Sequence, residues 1–87
     1  MPELSRFLGI VISMFYRDHG PPHFHAYYAE NEIAVSIRDG TILWGSFPKR
    51  ALAHVQEWRA AHQAELEEDW QRARARQPLK PIAPLVG

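Results

Sequence analysis

The hydrophobic period of this chain changes once, at Pro48. Upstream, apolar residues alternate or run together and are rich in β-branched and aromatic types. Downstream they recur every three to four positions. Side chains alternate at period 2 along a strand and 3.6 along a helix, so the single switch separates a sheet half from a helical half. The expectation is an α+β fold: a small antiparallel four-stranded β-meander with one face packed on a C-terminal helix or helical hairpin. Strands fall at about 5–47, the helical region at about 48–76 and an extended Pro-rich tail at 77–87. A chain of 87 residues is one domain, 1–87, being too short for two cores.

Phe7 to Tyr16 reads as one near-continuous apolar strand. Leu8, Ile10, Ile12, Met14 and Tyr16 fall on one face, and Phe7, Val11, Ser13, Phe15 and Arg17 on the other. Asp18-His19-Gly20-Pro21-Pro22 breaks it, because two prolines remove two ladder donors. His23 to Tyr28 is the second strand, followed by a turn around Glu30-Asn31. Glu32 to Arg38 is the third, Asp39-Gly40 a hairpin signal, and Thr41 to Phe47 the fourth. Pro48 suits a first helical turn with Ser46 as a cap before it. Leu52, Val55, Trp58 or Arg59, His62, Leu66, Trp70 and Ala73 then follow helical spacing, in one long helix with room for a bend near Ala61-His62-Gln63. Pro78, Pro81 and Pro84 end it. The tail's Leu79, Ile82, Leu85 and Val86 either fold over the domain or engage a partner.

Ten basic residues balance ten acidic ones, which argues against a protein living mainly on phosphate attraction and leaves room only for a local basic patch. The absence of cysteine excludes disulfides, thiol catalysis and cysteine zinc sites, and fits a reducing compartment. The longest apolar run is far short of the roughly 20 residues of a spanning helix, and its flanks do not suit a signal peptide. A soluble, cytoplasmic protein without membrane contact is expected.

Three of the five histidines, His19, His23 and His25, lie within seven residues. His23 and His25 are two apart on a strand, so both side chains leave the same face. Asp18 and His19 sit across the Pro-Pro corner and Arg17 adds a fixed charge. One reading makes Arg17, His19, His23 and His25 catalytic. Histidine's ordinary pKa, about 6.5, suits both proton removal and donation, while Arg17 holds a phosphate. That is the minimum for metal-free RNA cleavage. A second reading has His23 and His25 bind zinc or another divalent ion, with Asp18 or His19 as third ligand. The structural alternative has Phe24, Ala26 and Tyr28 fill the core while the two histidines bond carbonyls freed by the prolines.

Lys49 and Arg50 stand at a helix start, where the macrodipole disfavours cations, and are candidates for anion binding or a plain exposed pair. Glu65, Glu67, Glu68 and Asp69 followed by Arg72, Arg74 and Arg76 read as a solvated helix face without a ligand. Trp44, Trp58 and Trp70 read as core anchors. His54 and His62 read as packing or solvent-edge residues.

Ser5 to Ile12, Asp18 to Tyr28 with its Pro-Pro-His-Phe-His block, Phe47 to Leu52, Glu57-Trp58 through Trp70, and Pro78 to Ile82 together resemble the bacterial domain of unknown function family 4160. Asn31, at a turn, is a departure that leaves the histidine block untouched. The resemblance implies a small bacterial protein whose gene often neighbours another small one, as in toxin–antitoxin pairs, with some members proposed as the toxin. It supplies no catalytic residue. The expectation is therefore a toxin-like component acting on RNA or another phosphodiester and restrained by a small cognate protein encoded nearby. The alternatives are a non-enzymatic module binding a protein partner or DNA, and a divalent-metal domain. An edge strand also offers a route to a homo-oligomer.

Overall fold

Leu8 and Gly9 both take left-handed backbone, φ 51° and 79°, in the computed structural model of this protein, which describes residues 3–85. That two-residue turn cuts the long apolar run into β1 (Glu3–Phe7) and β2 (Ile10–Ser13). The sheet therefore has five strands, not four. β3 (His23–Tyr28), β4 (Asn31–Ser36) and β5 (Ile42–Gly45) follow, each antiparallel to its sequence neighbour in the order β1-β2-β3-β4-β5. A tight hairpin needs positive φ at both central positions. Gly9 supplies one freely, while Leu8 accepts strain of about 1–2 kcal/mol at its exposed tip. In return Leu4 and Phe7 reach the same core as Ile10 and Ile12. Phe7, expected on the face opposite Ile10, thus joins it, and Leu8 and Tyr16 are exposed.

The other turns shift by a residue or two. Ala29, at φ 51°, turns the β3–β4 hairpin ahead of Asn31. β4 ends at Ser36 rather than Arg38, because Gly40 N–H bonds the Ser36 carbonyl and Ser36 N–H the Thr41 carbonyl. At the other end of β5, a Cβ on Gly45 would overlap the Glu32 carbonyl, so only glycine lets this strand approach β4 so closely.

Ile10, Ile12, Met14, Phe24, Ala26, Ile33, Val35 and Ile37 cover one sheet face. Against it packs α1 (Lys49–Ala61) through Ala51, Val55 and Trp58. Fully buried Trp58 lies 5.5 Å from Phe7 and 5.8 Å from Phe24, ring to ring. Arg59 donates to the Ile37 carbonyl and Gln56 to that of Gly40, fixing α1 over the β4–β5 turn.

α2 (Gln63–Arg74) contributes Leu66, Trp70 and Ala73. The helical region is two helices, broken at His62 (φ −123°, ψ 24°). No proline or glycine causes the break. The His62 ring packs on Trp58 at 5.4 Å and its Nδ1–H donates to Glu65 at 2.5 Å, closing the new first turn from the side. Ser46 does not cap α1; Pro48 holds the N-cap position without a side-chain bond. Gln77 N–H bonds the Arg72 carbonyl and Arg76 N–H that of Ala73, so α2 ends in a Schellman turn. Its left-handed position, usually glycine, is Arg76 at φ 58°.

Past that turn the chain folds back over the domain. Ile82 is buried and its N–H bonds the Leu4 carbonyl, while the Trp58 indole donates to Ala83 and Lys80 N–H to the Asp69 carboxylate. Val86, the last apolar residue of the expected tail, lies outside the described residues. Among the described residues no helix is long and apolar enough to cross a membrane.

Candidate functional site

The face of the sheet opposite the core carries the two histidines of β3 among small and aromatic neighbours. Ser13, His25, Ala34 and Trp44 form one cross-strand row from β2 to β5. The short side chains of Ser13 and Ala34 leave space on either side of the His25 ring. Phe15 closes on it edge-to-face at 4.6 Å, and Trp44 stands 5.7 Å away. His23, two residues earlier, lies 5.2 Å from His25 and 5.3 Å from Trp70 of α2. Both histidines are only 7% exposed.

Asp18 reaches into this box from the Pro-Pro corner. Its Oδ2 lies 3.0 Å from His23 Nε2 and 2.9 Å from His25 Nε2, so one carboxylate oxygen touches both rings. The far nitrogens face acceptors too: His23 Nδ1 lies 2.9 Å from the Pro21 carbonyl and His25 Nδ1 3.3 Å from Glu32 Oε2. The second contact is misaligned, leaving His25 Nδ1 buried without a hydrogen bond, like the hydroxyl of its row neighbour Ser13. Burial, then the Glu32 charge, a hydrogen bond to Glu32 and the Asp18 charge push the Tyr27 phenol up to about 12. Tyr27 therefore stays a neutral donor beside two carboxylates. Asp18, His23 and His25 each offer one ligand atom within 4.8 Å of the others, so these three could hold a metal ion; His19 does not join them.

The exposed side of Asp18 opens on a cleft of about 360 Å³ lined by Tyr16, Arg17, Asp18, His19, Arg74 and Arg76. Arg17 and His19 are exposed there, and His23 and His25 lie behind Asp18; Asp18 folds back to the two rings, whereas His19 does not. Among the described residues Arg17, Arg74 and Arg76 have no ion-pair partner. Arg72, by contrast, is held by Glu68 at 3.0 Å.

Lys49 and Arg50 are not brought to this corner. They open α1, and Arg50 lines a different pocket of about 260 Å³ with Leu8, Tyr28 and His54. Tyr28 is five residues from His23 along β3, roughly 16 Å at ~3.3 Å per residue.

Sequence reasoning missed Arg74, Arg76, Glu32, Tyr27 and the lining role of Trp44 and Trp70. Trp44, expected in the core, is 49% exposed. The arginines did carry a signal: of the three in the last stretch, only Arg72 has an acidic residue four positions earlier.

A five-stranded antiparallel meander backed by two C-terminal helices, with a histidine–aspartate corner beside an arginine cleft, describes the class. The chain belongs to the family described as Domain of unknown function (DUF4160), which matches residues 9–71 and so includes the whole histidine corner. Neither the curated proteins nor the solved structures yield a match.

Proposed function

We propose that this protein is the toxin-like component of a small bacterial two-gene module and acts in the cytoplasm on a phosphodiester of RNA. The observation that carries the reading is three arginines, without ion-pair partners among the described residues, in one cleft with Asp18 and His19. Unpaired guanidinium groups match phosphate oxygens in shape and charge. They supply the local basic patch that a net charge of zero still permits. His19, exposed in the cleft, is the ring with access to a 2′-hydroxyl proton; His23 and His25 hold Asp18 as the second polar group. The small cognate protein encoded nearby restrains the toxin by covering this cleft.

Induction of the protein alone in bacteria tests the reading, beside His19→Ala and Arg74→Ala/Arg76→Ala variants shown to be folded. Growth arrest by the wild type, relief in both variants, and cleavage of RNA by purified wild type are expected. Intact RNA and normal growth refute it and favour a non-enzymatic module, for which exposed Leu43 and Trp44 on edge strand β5 offer a contact surface.

A further inference from the structure

The hydrogen-bond partners of His23 and His25 cannot all be satisfied by two neutral rings. A carbonyl oxygen only accepts, so the 2.9 Å contact to Pro21 puts a proton on His23 Nδ1. The neutral ring then directs the lone pair of Nε2 at Asp18 Oδ2, 3.0 Å away, acceptor against acceptor. At His25 the opposition is one of charge alone, because the Glu32 contact is misaligned. If Nε2 donates to Asp18, Nδ1 turns a lone pair toward Glu32 Oε2; if Nδ1 carries the proton, Nε2 opposes Asp18. A cation between the two rings and Asp18 would remove these oppositions.

We infer that Asp18, His23 and His25 bind one divalent first-row metal ion, of which Zn²⁺ is the probe, through Oδ2 and the two Nε2 atoms. A single ion removes both conflicts, since each ring then coordinates through Nε2 and donates through Nδ1, to Pro21 in one case and Glu32 in the other. Outer hydrogen bonds of this kind, to a backbone carbonyl and to a carboxylate, fix the tautomer of metal-bound histidine. The spacing also fits. Ligand atoms about 2.0–2.2 Å from a tetrahedral zinc stand about 3.3–3.6 Å apart, so the observed contacts need open by only about half an ångström. The buried His25 Nδ1, without a hydrogen bond as it stands, is a polar atom that a realigned Glu32 would satisfy in a filled site. Three protein ligands leave a coordination position open, and Asp18 is the ligand that also lines the cleft, so a metal-bound water would face the arginines. The inference shares its corner with the phosphodiester reading and names an ion for it, but its test uses no RNA.

Calorimetric titration of untagged, metal-free full-length protein with Zn²⁺ should show one ion per chain. Asp18→Ala, at a side chain only partly buried, should abolish the site, and Glu32→Gln should weaken it about 10–100-fold as an outer-shell change. In wild-type protein, imidazole ¹⁵N spectra should show Zn²⁺ moving the Nε2 signals of His23 and His25 while both Nδ1 stay protonated. No saturable Zn²⁺ binding overturns the inference. Binding that leaves those Nε2 signals in place overturns it too, by locating the ion on exposed histidines such as His19. RNA binding measured in the presence of chelator separates the two readings: it survives loss of the ion if the arginine cleft acts alone.

Discussion

Removing one arginine from the cleft should change how RNA binding depends on salt by a calculable amount. Each phosphate contact on a single strand releases counterions worth a slope of about −0.7 in log K against log salt. With Arg17, Arg74 and Arg76 all on phosphate, the slope is about −2.1, so raising salt from about 50 to 200 mM weakens binding about 18-fold. Arg74→Ala leaves two contacts, a slope of about −1.4 and a loss of about 7-fold over the same range. Arg74 is exposed at the end of α2 and makes no ion pair among the described residues, so its removal costs the fold little. The assay is fluorescence anisotropy of a short single-stranded RNA across a salt series, for wild type, Arg74→Ala and Lys49→Ala/Arg50→Ala. The last variant sits at the far end of β3 and should keep the wild-type slope. An unchanged slope in Arg74→Ala refutes the phosphate assignment. A slope lowered by Lys49→Ala/Arg50→Ala instead would move the anion site to the start of α1.

Trp58→Ala should destabilise the protein by about 3–5 kcal/mol in urea unfolding, since it empties the centre of the core and frees the Ala83 carbonyl. Gly45→Ala should lower the thermal midpoint, because its Cβ meets the Glu32 carbonyl and its φ of 87° is left-handed; an unchanged midpoint would mean β5 can slide. Burial raises the Asp69 carboxyl above the ordinary aspartate range, against the pull of the Lys80 N–H. A raised folded-state value means the native protein holds its proton more tightly. Asp69 therefore supports the fold most below pH ~4, and that contribution is lost as pH rises through the folded value. Asp69→Asn should flatten this part of the stability–pH curve, and an identical curve for the variant would contradict the assignment.

What the sequence disclosed follows from what each signal encodes. Period encodes which side of an element faces the core, so the sheet-then-helix order, the core residues of β3 and β4 and the shared face of His23 and His25 were all legible. A two-residue turn encodes itself in backbone φ. At Leu8-Gly9 a lone glycine inside an apolar run was the whole signal, and a leucine in left-handed conformation hid it. The break at His62 depends on that ring's contact with Trp58 and its bond to Glu65, and neither contact changes the hydrophobic spacing. The site divided likewise. Asp18, His23 and His25 are close in sequence and were read together. Arg74 and Arg76 enter the cleft from α2 and its end, and only tertiary folding brings them beside Arg17.

The bond from Ile82 to Leu4 has a kinetic meaning. Every strand pairs only with its neighbour in sequence, so the sheet can zip up through short loops with little closure entropy. Joining residues 78 positions apart is a different kind of event, because it waits for both the first hairpin and α1 to present their surfaces. The C-terminal segment is therefore expected to dock last and detach first, with an opening free energy below that of global unfolding. In hydrogen exchange, the Ile82 amide should trade its proton ahead of the β3 and β4 amides, reporting a sub-global opening that bares Trp58 while the meander stays intact.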